Sequence, residues 1–233
     1  MKPLIITTSW DDGSYQDEQI SNLLKKYGIK GTFYIPKNFL PNSLSPDLIC
    51  NLDTYHEIGA HTMNHVELPN IPTERAFNEI HDSKLYLEDL LGHDISMFAY
   101  PKGLYNSKVK QLVQKSGFLG ARTVDYVGLK NISDPYSMGV SLLMQNGSPI
   151  FSLKSAIQYN LDIKSVIDWE IRVKELFDYS YRSGGVLHLF SHSWMIDRYN
   201  QWEKLESVFN YISGYDDVLY LTNGELMDVI INE

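Results

Sequence analysis

The chain has 233 residues, 43% of them hydrophobic and 21% charged, the balance of a globular protein long enough to bury a large core. Its 29 acidic residues outnumber its 20 basic ones, for a net charge of -9. That excess argues against a nucleic-acid partner, because phosphate binding needs basic patches.

The N-terminus, Met1-Lys2-Pro3, leads into a brief apolar run and then an acidic pair. This falls far short of the ~7–15-residue apolar stretch of a secretory leader, and no later stretch reaches the ~18 apolar residues of a membrane span. A cytoplasmic protein without a membrane span is expected. Residues 3–8 read as a strand that ends before Asp11 and Asp12. From Asp17, the spacing of Ile20, Leu23, Leu24 and Tyr27 predicts a helix closed by Gly28. "GTFYI", ending at Ile35, is the next strand, and Pro36, Pro41 and Pro46 punctuate a loop. A helix is expected from Pro46 to Ile58, ending at Gly59. It carries the only cysteine, Cys50, so no intrachain disulfide can form. Beside Leu48, Ile49 and Leu52, Cys50 reads as a small buried hydrophobe.

Thr73 to Leu91 is the longest early helix, with Gly92 after it. Met97 to Tyr100 reads as a strand. Asn106 caps a helix carrying Val109, Leu112 and Val113, which stops at Gly117. Residues 118–124 are strand-like. Residues 125–163 are the least regular, with a strand in "MGVSLLM" and a short helix from Leu153 to Tyr159. A helix over 166–181, the strand "GGVLHLF", a helix near 201–212, a strand at 218–221 and a helix from Gly224 follow. Strands and helices alternate about seven times. That pattern predicts parallel strands with helices outside them, in one domain spanning residues 1–233.

Parallel strands gather their C-terminal ends on one side, where active sites of such folds lie. Polar and titratable residues recur at the predicted exits: Asp11 and Asp12, then His61 and His65, then Pro101, Lys102 and Gly103, then Ser191, His192 and Trp194. In "HTMNH" the two histidines stand four apart, which on a helical turn puts both imidazoles on one face. Two histidines and one aspartate leave a fourth position for water, the pattern of a hydrolytic metal centre. A second carboxylate, off the metal, can then take a proton from that water. His56, His81 and His93 are read as solvated or capping residues on helices. His188, alternating with Leu187 and Leu189, points away from them as a buried structural histidine, or as the acid if the register shifts.

The ordered set "TTSWDDGS", "HTMNH", "FAYPKG" and "LHLFSHS" resembles the polysaccharide deacetylases of the NodB type, carbohydrate esterase family four, over most of the chain. The resemblance implies a distorted (β/α)7-type barrel with parallel strands. It implies removal of an acetyl group from an acetylated amino sugar or glycan, with one divalent metal ion. Zinc is the first expectation, and cobalt, nickel or iron also suit such ligands. It implies Asp11 as general base, Asp12, His61 and His65 as metal ligands, and His192 as general acid. The backbone N–H of Tyr100 would donate to the oxyanion. Pro101 and Gly103 would line the site, Leu187 and Leu189 would wall the acetyl methyl, and Trp194 would stack on sugar. The chain departs from the family where an arginine usually follows Phe98, since Ala99 stands there. Arg122, at the end of the next strand, is the expected substitute. Asp168 is a weaker suggestion for a carboxylate supporting the arginine or the acid histidine. Two other readings remain: hydrolysis of another C–N bond, as in a cyclic imide or ureide, and a non-catalytic sugar-binding relative.

Overall fold

The computed structural model describes residues 3–129, 132–146 and 149–231. The chain runs through β1 (Leu4–Asp11), α1 (Asp17–Lys26), β2 (Thr32–Ile35), α2 (Pro46–Asp53), β3 (Glu57–Ala60), α3 (Thr73–Leu91), β4 (Met97–Ala99), α4 (Ser107–Lys115) and β5 (Gly120–Tyr126). Then come β6 (Met138–Val140), β7 (Leu142–Leu143), α5 (Pro149–Tyr159), α6 (Trp169–Ser183), β8 (Gly185–Ser191), α7 (Ser193–Arg198), α8 (Trp202–Ile212), β9 (Val218–Tyr220) and α9 (Asn223–Ile231).

The local chemistry explains most boundaries. Acidic Asp17 and Glu18 open α1, and Lys25 and Lys26 close it, both matching the helix dipole. α3 ends on Gly92 in the left-handed conformation, as its sequence predicts. Asn106 accepts from the Val109 N–H at 2.9 Å and so caps α4. α2 is shorter than expected. It stops at Asp53, and Glu57–Ala60 form a strand instead, paired with β2 on one side and β4 on the other. Gly59 permits this: a Cβ there would meet the Tyr34 ring at 2.5 Å. Cys50 is exposed rather than buried, because Ile49 and Leu52 form the inward face of α2.

Every strand pair is parallel, in the order β6-β5-β4-β3-β2-β1-β8-β7, with β9 against the first half of β1. β6 pairs with β5 and β7 with β8, and only Ser141 separates them. The Ser141 N–H donates to the His188 carbonyl at 2.9 Å. One broken strand thus bridges the last gap of a nearly closed barrel. With β6 and β7 counted as one position, the ring has seven, the deformed (β/α)7 architecture that the sequence implied.

Side chains alternate between two layers. Leu4, Ile6, Trp10, Leu187 and Leu189 belong to the outer core shared with helix residues such as Leu24, Val173 and Phe209. Tyr34, Met97, Ala99, Met138 and Val186 form the lumen cluster, with Leu226 and Met227 of α9. α5 is turned inside out. Its buried face carries Ser152, Ser155 and Ala156, while Ile150, Leu153 and Ile157 are exposed. Among the described residues no helix is long and apolar enough to cross a membrane.

Candidate metal and catalytic site

β1 runs further than its sequence suggested. Asp11 is still in the strand, opposite Tyr34 of β2. Its side chain is therefore fixed toward the lumen by strand alternation. Asp12 then leaves the strand with φ 83, a conformation few residues other than glycine adopt. This turn sends its carboxylate over the barrel mouth, and the adjacent pair faces two ways.

His61 and His65 follow β3, but not on a helical turn. Residues 61–65 form an irregular loop with Thr62 at φ 66 and His65 at φ 49. Left-handed residues at non-glycine positions cost energy and persist where surroundings enforce them. Here Glu79 of α3 enforces them, accepting from Asn64 N at 2.9 Å and Asn64 Nδ2 at 2.8 Å. The loop brings the two imidazoles together, with ring centroids 4.8 Å apart. Phe39 stacks on His65 at 3.9 Å.

Asp12, His61 and His65 each direct one ligand atom to a common point, all within 4.8 Å of one another. His65 Nε2 is 3.4 Å and His61 Nε2 is 3.8 Å from Asp12 Oδ1. Donors at ~2.1 Å from a tetrahedral ion stand roughly 3.4 Å apart, and the two distances to Asp12 lie near that spacing. Two further observations fit such an ion. Asp12 Oδ1 is buried with no hydrogen-bond partner among the described residues. His61 Nδ1 sits 2.8 Å from the Ala99 carbonyl, which fixes its proton there and leaves Nε2 as a lone-pair donor. Burial keeps both imidazoles neutral, as ligands must be: His61 is lowered to about 3 and His65 is lowered as well. Burial, then the charge of Asp11, push Asp12 up to about 6.

Asp11 is held by Arg122. Nη2 of Arg122 donates to both carboxylate oxygens of Asp11, and Arg122 is fully buried. Burial alone would raise the Asp11 pKa. The Arg122 charge, helped by His61 and His192, outweighs it and holds the carboxyl below its usual range. Arg122 also lies between aromatic faces, 5.1 Å from the Tyr34 ring and 4.5 Å from the Phe190 ring. An arginine on β5 thus meets the aspartate, where the resembling family uses one on β4.

His192, at the start of α7, places Nε2 3.7 Å from Asp12 Oδ2. Its pKa is lowered, chiefly by burial. Trp194 is half-buried and reaches Asp12. Its Nε1 donates to Asp12 Oδ2 at 2.9 Å, so it orients the carboxylate. Asp17, the first residue of α1, is fully buried beside Ser193. Burial, then Asp12 and Asp11, raise its pKa well above the carboxylate range. Nothing in its sequence context, the start of an amphipathic helix, distinguishes it from a surface acid.

Several expectations are corrected. The Tyr100 N–H donates to the Arg122 carbonyl at 3.1 Å, as part of the β4–β5 ladder, and does not face the cleft. Leu187 and Leu189 are fully buried in the outer core, so the lumen face of β8 carries His188 and Phe190 instead. His188 is structural: Nε2 lies 2.8 Å from Ser9 Oγ, and Nδ1 lies 3.0 Å from the Gly139 carbonyl. His56 is buried rather than solvated, accepting from the Gly31 N–H at 3.2 Å. Asp168 caps α6 and pairs with Lys204 at 2.8 Å, away from Arg122 and His192. Pro101 and Gly103 form a tight turn after β4, where a Cβ on Gly103 would meet Val124 Cγ2 at 2.2 Å.

The polysaccharide deacetylase family model matches residues 2–121, just over half of the chain. The chain belongs to that family. A peptidoglycan-N-acetylglucosamine deacetylase from Bacillus cereus is 31% identical over 117 residues, covering 49% of this chain and 54% of the relative. Matches to curated relatives span between a third and just over half of their lengths. The fold resembles the chitin deacetylase of Colletotrichum lindemuthianum, with a TM-score of 0.64 at 14% identity over 97% of this chain and 88% of that one. It also resembles the peptidoglycan deacetylase PdaC of Bacillus subtilis, with a TM-score of 0.62 at 14% identity over 99% and 93%.

Proposed function

We propose that this chain is a metal-dependent hydrolase that removes an acetyl group from an acetylated amino sugar or glycan. The observation that carries this reading is the convergence of Asp12, His61 and His65 beside an Arg122-held Asp11. Family membership supports the reaction class.

In this reading Asp12, His61 and His65 hold one divalent cation, zinc first. When bound, the cation supplies Lewis-acid polarisation and lowers the pKa of a ligated water to about 7. Trp194 Nε1 keeps Asp12 in its binding orientation. Asp11, ionised because Arg122 faces it, accepts a proton from the attacking water on a carboxylate oxygen. His192 Nε2 delivers a proton to the departing amine nitrogen or alcohol oxygen. Its lowered pKa makes the protonated ring a stronger acid. The products are acetate and the free amino sugar or alcohol.

The test is elemental analysis of the purified chain, with acetate release from N-acetylglucosamine oligomers and acetylated xylan. One divalent ion per chain and acetate release are expected. Asp12→Ala should lose the ion and at least ~10³-fold of the activity, as expected when the group that activates water is removed. An ion without acetate release, together with cleavage of cyclic imides, would move the assignment to other C–N bonds. A chain that retains no ion under any divalent supplement would defeat the reading.

A further inference from the structure

A cavity of about 610 Å³ opens at the C-terminal ends of β5 to β8, next to the site described above. Phe190 is the wall between them: its ring lines the cavity, lies 4.5 Å from Arg122 and stands 5.1 Å from the His192 ring. Leu142, Leu143 and Phe151 add apolar surface. Opposite them lies Arg172, on the first turn of α6 and only 4% exposed.

Arg172 has no carboxylate partner within 4.0 Å among the described residues. Among those residues only its Nη1 is engaged, donating to the Ser165 carbonyl. The nearest acid of its own helix cap, Asp168, is taken by Lys204 and by the Glu170 N–H. Asp125 also lines the cavity, but at an exposed position where it accepts from the Tyr105 hydroxyl at 3.2 Å. A buried guanidinium without an anion is costly, and its planar fork matches carboxylate and phosphate oxygens. The same cavity holds Tyr126 and Ser155, whose neighbouring hydroxyls have no further partner among the described residues. The inside-out α5 explains Ser155: the helix turns its small polar face toward the cavity at the expense of exposing Ile150, Leu153 and Ile157.

We propose that this cavity is an anion subsite, in which Arg172 with the Tyr126 and Ser155 hydroxyls binds a carboxylate or phosphate carried by the acetylated sugar. The proposal rests on the deacetylase reading and names its substrate class: an acidic acetylated sugar rather than a neutral one. Phe190 and the leucines would pack against the apolar part of the substituent or the sugar ring. The low overall pI does not oppose this, because the charge that matters is the buried, unpaired one.

The experiment compares N-acetylglucosamine, N-acetylglucosamine 1-phosphate and N-acetylmuramic acid with the full chain, by calorimetric binding and by acetate release. An acidic probe should bind at least ~10-fold tighter than the neutral sugar, about 1.4 kcal/mol. Preference for the phosphorylated or the carboxylated probe identifies the source of the anion. Arg172→Gln should cut the acidic-to-neutral ratio at least ~10-fold, and Arg172→Lys should keep part of it. Should Arg172→Gln not fold, Tyr126→Phe with Ser155→Ala probes the same ratio. Equal binding of acidic and neutral sugars by the unaltered chain would overturn the proposal. So would a ratio that Arg172→Gln leaves intact, or tighter binding of N-butyrylglucosamine than of either acid. Binding preference without acetate release would defeat the deacetylase reading and leave the anion subsite standing.

Discussion

The first strands and helices, residues 4–126, and the stretch from 132 to 167 are built on opposite rules. In the first, helices bury aliphatic stripes, Asp11, Asp12 and His61 stand at or just past strand ends, and Arg122 stands inside β5. In the second, a strand breaks in two around Ser141 and a helix points its isoleucines outward. The family match ends at residue 121, close to where the rules change. The lesson is that the proposed water-activating chemistry sits on the regular scaffold, while the irregular stretch gives only part of itself to the core, through residues such as Met138, Leu142 and Met144, and shapes the neighbouring cavity.

Five substitutions break or sharpen this contrast. Asp11→Asn removes the proposed base from the scaffold and should lower acetate release on the order of 10²–10⁴-fold with the cation retained. Unchanged turnover would remove Asp11 from the mechanism. Arg122→Gln leaves Asp11 buried without its cation, which should cost about 3–5 kcal/mol of stability by denaturant melt. The sign of its pH effect follows from the lowered Asp11 pKa. Without Arg122 the carboxyl protonates at higher pH, so the acid limb of the pH–rate profile should move upward. A limb that stays put would show that Arg122 does not keep Asp11 ionised. Next, Ile80→Ala in the fully buried stripe of α3 should cost about 2–5 kcal/mol, and Ile157→Ala in α5 about 0.5 kcal/mol or less. Similar losses would erase the distinction between the two regions. Smallest, Trp194→Phe removes one hydrogen bond to Asp12 and should weaken cation affinity about 10-fold by competitive chelation.

What the sequence discloses follows the same division. Helix ends marked by Gly28, Gly92 and Asn106 are legible because capping is local. Asp12, His61 and His65 are legible as a set because they follow strands, although the loop geometry joining the histidines is not helical. Arg122 is legible because the arginine absent after Phe98 directs attention to the following strand, although it stands early in β5 rather than at its end. Alternation also places His188 opposite Leu187 and Leu189, yet it cannot tell which face is the lumen. That choice depends on all the strands at once, and the leucines fall outside. Tyr100 fails for a related reason, since a strand's N–H is spent or free according to its neighbour's register. The hydrogen bond from Trp194 to Asp12 spans 182 positions and has no local signature.

The left-handed backbone at Asp12 narrows what this position can become over evolutionary time. Aspartate and asparagine visit that conformation more readily than longer or branched residues do. A glutamate would keep the charge yet fight the turn, and an asparagine would keep the turn yet surrender the charge. Drift at residue 12 therefore has no gradual route: the acid stays, or the centre built around it is abandoned in one step.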